Sequence, residues 1–104
     1  MIRKAFVMQL HPGQEAEYRR RHNPIWPELA AELKARGARN YSIFLHPETL
    51  QLFAYVEIED EAKWRGAAGS EVVRRWWARM RELMESHPDD SPVTRELAEV
   101  FHLD

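Results

Sequence analysis

Phe6, Met8 and Leu10 alternate with Ala5, Val7 and Gln9 at the start of the chain, the period of two expected of a β-strand. His11-Pro12-Gly13 is a turn signal. From Gln14 to His22 the spacing becomes helical, with Glu15/Arg19 and Glu17/Arg21 at the favourable i,i+4 separation. This helix must end near His22, because Asn23 precedes Pro24 and is pushed out of the α region. Pro27 can open a second helix as its first residue, running through Leu29 and Leu33 to a left-handed cap at Gly37. Two strands are predicted next. Asn40 to His46 puts Tyr41, Ile43 and Leu45 on one face, with Ser42 and Phe44 on the other. Gln51 to Glu59 puts Leu52, Ala54, Val56 and Ile58 on one face, with Phe53 and Tyr55 opposite. His46-Pro47-Glu48-Thr49 suits the hairpin loop between them. Asp60 can cap a short helix through Trp64, interrupted by Gly66 to Gly69. Ser70 can cap a longer one, Glu71 to about Ser86, whose apolar stripe holds Val73, Trp76 or Trp77, Met80, Leu83 and Met84. After a loop at His87 to Pro92, a last strand is predicted over Glu99 to Leu103.

The resulting order is that of an α+β, ferredoxin-like βαββαβ sandwich with its helices on one sheet face. The middle strands add a complication. Phe44, Phe53 and Tyr55 project from the face the helices do not cover, and a sheet with two apolar faces needs two covers. In so short a chain the simplest second cover is another copy, which predicts a homodimer with its sheets face to face.

The 104 residues, taken as residues 1–104, fit one domain. Charged side chains make up 31% and hydrophobic ones 44%, a globular balance. No run approaches the ~18 apolar residues of a membrane-spanning helix, and Met1-Ile2-Arg3-Lys4 leads into no apolar block of a signal peptide. Without cysteine the chain can form no disulfide, thiolate nucleophile or Cys-ligated metal centre, and a reducing cytoplasm is the expected compartment. A formal charge of −2 argues against a nucleic-acid partner.

The five histidines form neither H-x-H nor H-E-x-x-H, so no local metal site is expected. There is no glycine-rich phosphate loop and no nucleophile elbow. The densest chemistry lies between Tyr18 and Glu28. Tyr18 and His22, four apart, share a helical face. The helix dipole favours imidazolium at His22 by ~0.3–1 kcal/mol, and the three preceding arginines oppose it, so the sign of the shift stays open. Such an imidazole can exchange protons near neutral pH, or simply end a helix at the surface. Three consecutive arginines spread around a helix and read as solvated surface. Trp76 and Trp77 point about 100° apart, so one belongs inside and the other at the margin of a cleft. They are either core packing or a platform for the apolar face of a sugar or aromatic ligand. Tyr41 can bond a hydroxyl or cap a sheet edge, and Trp26 and Trp64 read as core or interface.

Four segments together, YRRRHNPIWPEL, GARNYSIFL, RRWWARM and PDDSPVTRELAEVFHLD, resemble the L-rhamnose mutarotase family over essentially the full length. The resemblance implies a dimeric α/β barrel that interconverts the α- and β-anomers of L-rhamnose without a cofactor. It also implies His22 as catalytic proton donor, Tyr18 and Tyr41 as sugar-binding tyrosines, and Trp76 and Trp77 as the sugar-binding tryptophan pair. One departure is visible: Asn often stands in the family where His87 precedes Pro88 here. On this basis His22 is expected to protonate the ring oxygen and to recover that proton on closure, with Tyr41, Glu57 or water as partner base. Two other functions suit such a barrel: a small monooxygenase or haem-degrading enzyme, and a non-catalytic ligand-binding protein.

Overall fold

Four strands pair into one antiparallel sheet in the order β2-β3-β1-β4. They are β1 (Ile2–Gln9), β2 (Arg39–Leu45), β3 (Gln51–Ile58) and β4 (Arg95–Leu97), seen in a computed structural model that describes all residues, Met1–Asp104. Between β1 and β2 run α1 (Glu15–Arg21) and α2 (Pro27–Ala35); between β3 and β4 run α3 (Glu61–Arg65) and α4 (Glu71–Met80), each followed by a short 3-10 turn. No helix is long and apolar enough to cross a membrane.

The period of two in β1 and β3 decides which sheet face meets the helices. Phe6, Met8 and Leu10 join Leu52, Ala54, Val56 and Ile58 in a core closed by Leu29 of α2 and by Val73, Trp76 and Met80 of α4. Leu10, Leu52, Val56 and Ile58 are almost inaccessible, and each contributes roughly 1.5–3 kcal/mol by burial. The opposite face carries Val7, Phe53, Tyr55 and Phe44, and Phe44 is 68% exposed. Gly37 makes the turn from α2 into β2 at φ +88°, where a larger residue would be strained by the backbone and its Cβ, 2.7 Å from the Glu59 carboxylate, would have to displace that side chain.

Two predicted elements end elsewhere. The last long helix stops at Met80 rather than Ser86, because β1 claims the backbone beyond it. His11 N–H donates to Leu83 C=O and Glu85 N–H to Gln9 C=O, while Met84 bridges Leu10 in extended conformation. The last strand is Arg95–Leu97, not Glu99–Leu103. It pairs with Val7–Ala5 of β1, where Lys4 holds Glu96 and Arg3 holds Glu99 at 2.8 Å. No neighbouring strand remains for the segment beyond, and Val100, Phe101 and Leu103 stand 94%, 77% and 80% exposed.

Candidate functional site

Helix α1 ends where its last carbonyls need partners, and side chains supply them. The His22 ring lies over the final turn with Nδ1 2.8 Å from the Tyr18 carbonyl oxygen, and Asn23 Nδ2 donates to the Arg19 carbonyl at 2.8 Å. A carbonyl can only accept, so Nδ1 carries the hydrogen. In the neutral ring Nε2 is therefore a lone-pair acceptor, and no protein group takes it. Burial pushes the His22 imidazole below its ordinary value, and the Tyr18 carbonyl only partly offsets this. The sign left open by the sequence is thus settled by desolvation.

Arg21 fixes this helix end against α4. Its guanidinium bonds Glu17 at 2.6 Å, the Arg79 carbonyl at 2.6 Å and Glu82 at 2.7 Å. Arg19 and Arg20 are the solvated arginines expected of the triplet; Arg21 is not, because the end of α4 packs over it. The clamp brings the two helices' aromatic rings together. Tyr18 and His22 have ring centroids 4.4 Å apart, His22 meets Trp76 edge-on at 5.2 Å, and Trp76 meets Trp26 edge-on at 5.1 Å. Trp76 is the inward member of the tryptophan pair. Trp77 is half-buried and lines the same cleft.

Tyr41 arrives from the sheet, by way of a β-bulge. Arg39 pairs with Glu57, but Ser42 pairs with Tyr55, so one extra residue is inserted into β2. The extra residue is Asn40, at φ +50°, a left-handed conformation that asparagine tolerates well. Past the insertion the strand alternates regularly, so Tyr41 shares the inner face with Ile43 and Leu45, beside Phe6 at 6.5 Å and Trp64 at 5.9 Å, while Arg39 before it pairs on the outer face with Glu57. Glu57, weighed as a partner base, is spent on the outer face. It accepts from Asn40 at 3.0 Å and from the Tyr55 hydroxyl at 2.9 Å, and does not line the cleft. Tyr41 is 37% exposed on the cleft side, and desolvation by the surrounding protein pushes its phenol up to about 12. Burial raises the Tyr18 phenol as well, with the Tyr41 phenol adding to the effect, so the two hydroxyls sit in one neighbourhood. Both are neutral donors at any working pH, and neither is engaged by a protein partner.

These side chains line one open cleft of about 1540 Å³ between the inner sheet face and the helices. All five residues singled out in the sequence face it: Tyr18, His22, Tyr41, Trp76 and Trp77. Trp64, read as core or interface, lines it too, and so do Phe6 and Met8. The signal for Trp64 is a contact between α3 and β2, which no sequence period carries. A second hollow of about 530 Å³ lies around His11, Arg81, Glu82, His87 and Asp90. It has no aromatic platform, His11 Nδ1 is occupied by the Glu82 carbonyl, and Arg81 is paired with Asp90. No group of three His, Asp or Glu side chains is placed to hold a metal ion. The cleft therefore offers a proton acceptor, two phenol donors and aromatic walls, which suits a small polyol with an apolar face.

Comparison with known proteins adds the family. The profile described as L-rhamnose mutarotase matches residues 3–103. An L-rhamnose mutarotase of Opitutus terrae is 64% identical over 104 residues, covering all of both chains. The crystal structure of an L-rhamnose mutarotase from Formosa agariphila superposes with a TM-score of 0.93 at 40% identity, again over all of both chains. Rv0793 from Mycobacterium tuberculosis, at 14% identity and a TM-score of 0.58 over 98% of this chain and 97% of its own, shares the α+β fold alone. With its length matched end to end and its aromatic cleft in place, the chain belongs to the L-rhamnose mutarotase family.

Proposed function

We propose that the chain, as one domain over 1–104, interconverts the α- and β-anomers of L-rhamnose by general acid–base opening and closing of the ring, with His22 carrying the proton. The observation behind this is the His22 imidazole itself. Its Nδ1–H is locked on a carbonyl, and its Nε2 is free in a cleft of aromatic rings and unengaged phenols. The ring rests neutral, so Nε2 receives a proton before it can give one. It takes the hydrogen of the anomeric hydroxyl as the bond from C1 to the ring oxygen breaks, leaving an aldehyde at C1. Both oxygens are bonded to C1 in the closed ring, so the resulting imidazolium can hand its proton to the ring oxygen as that oxygen leaves C1. Rotation about C1–C2 presents the other carbonyl face, and the same transfers in reverse close the ring. No atom is gained or lost, and no cofactor takes part. The Tyr18 and Tyr41 hydroxyls hold sugar oxygens, and Trp76 and Trp77 pack against its C–H and methyl surface.

Magnetisation transfer between the two anomeric H1 signals of L-rhamnose tests this. Added protein should increase exchange over buffer alone. Unchanged exchange with demonstrated sugar binding would instead describe a ligand-binding protein.

A homodimer in the form of an α/β barrel goes with this function. Its support is the uncovered sheet face of Val7, Phe44, Phe53 and Tyr55, together with Val100, Phe101 and Leu103 beyond β4, apolar surface that water does not favour. Sedimentation equilibrium at micromolar concentration should give twice the 12.3 kDa chain mass, and Phe44→Glu should return it to one. A monodisperse wild-type monomer contradicts the dimer. A chain without cysteine suits the reducing cytoplasm.

A further inference from the structure

We propose that Trp64 is a positioning residue for the reaction: its ring holds the Tyr41 phenol at the sugar, and the segment from Asp60 to Ser70 is the strap that holds Trp64. The inference rests on the mutarotase function proposed above and extends it to an element with no other evident task. The strap buries nothing of its own between α3 and the 3-10 turn that follows. Specific ties hold it instead. Asp60 caps α3 by accepting from Ala62 N–H at 3.2 Å. Lys4, on the inner face of β1, reaches Glu61 at 3.0 Å. Arg36, at the end of α2, donates to the Lys63 carbonyl at 3.5 Å. Ser70 caps α4 at the far end. The first three ties fall on a five-residue helix whose one large apolar side chain is Trp64.

That side chain is half-buried, lines the cleft and meets Tyr41 edge-on at 5.9 Å, interplanar angle 65°. Phe6 meets the Tyr41 ring from the sheet, also edge-on. Tyr41 stands on the edge strand β2, one residue past a bulge, with no hydrogen bond to hold its hydroxyl. Alternation past the bulge points the ring inward, and Phe6 and Trp64 pack against it there. A phenol swinging freely would lose rotational freedom on each binding event. Pre-placed, it loses little, so the benefit appears in sugar affinity rather than in the proton transfer at His22.

Saturation of anomer exchange, measured by NMR across L-rhamnose concentrations, tests the assignment as a double-mutant cycle. An edge-to-face aromatic pair is worth a factor of about 2 to 13. Trp64→Ala should therefore raise KM by about that factor, with the acid limb of the kcat–pH profile, set by His22, unmoved. Trp64→Phe should restore much of the wild-type KM. In a Tyr41→Phe background, where the hydroxyl to be held is gone, Trp64→Ala should add little. Trp64→Leu keeps apolar bulk on α3 without a ring and should show the Ala penalty, which guards against a folding defect. The assignment is overturned if the KM penalty is absent, if it persists undiminished in the Tyr41→Phe background, or if Leu serves as well as Trp. A wild type that does not accelerate exchange would instead overturn the function.

Discussion

His22→Gln is expected to fold, to bind L-rhamnose within a few-fold of the wild type, and to exchange its anomers about 10²–10⁴ times more slowly. The size follows from removing one general acid–base, about 3–5 kcal/mol of barrier. Glutamine keeps a polar tip but cannot cycle a proton at neutral pH, so the effect belongs in kcat. In the wild type the pH profile carries the same information. Burial lowers the imidazole below its ordinary value, so Nε2 remains unprotonated into mildly acid solution. Exchange should hold its plateau to a pH below 6.5, the ordinary imidazole value, and fall only as the pH passes through the lowered one. Stability follows the same sign. The unfolded chain takes up a proton at His22 before the folded chain does, so stability drops as the pH falls from about 6.5 to the folded value, then levels off. Wild-type exchange in folded His22→Gln, measured by magnetisation transfer, would remove His22 from the chemistry.

The sheet was largely legible in the sequence where one face is buried, and illegible where pairing depends on a neighbour. Leu52, Ala54, Val56 and Ile58 mark the inner face of β3 with a strict period of two, and its observed bounds differ from the expected ones by one residue. At the C-terminal end the same rule misleads. Val100, Phe101 and Leu103 look like a strand, whereas the strand that forms is Arg95-Glu96-Leu97, placed by the open edge of β1 and by Lys4 and Arg3. The site divides in the same way. Tyr18 and His22 are helical neighbours by spacing, so their pairing is local information. The period of two puts Tyr41 on the same face as Ile43 and Leu45, but that this face meets α1 depends on strand order and helix packing, which have no sequence period. Glu57 looked available as a base because its use by Asn40 and Tyr55 is a cross-strand matter. Arg21 looked solvated because the end of α4 that covers it lies almost sixty residues away.

Adjacent in sequence, Trp76 and Trp77 should part company under substitution. Trp76 is buried among His22, Trp26 and the core, so Trp76→Ala should cost about 3–5 kcal/mol. For a domain of this size each kcal/mol moves the melting temperature by about 4–8 °C. The same change strips the apolar edge from the His22 ring and lets water reach it. The desolvation that lowers its ionisation is then relieved, and the acid limb of the exchange rate should move up toward 6.5. Trp77 turns about 100° away around the helix and is only half-buried in the cleft wall. Trp77→Ala should cost about 1 kcal/mol in urea denaturation, leave the acid limb where it is, and show its main effect as weaker sugar binding. Equal shifts of the denaturation midpoint in the two variants, or an acid limb that stays put in Trp76→Ala, would show that Trp76 does not shield the imidazole.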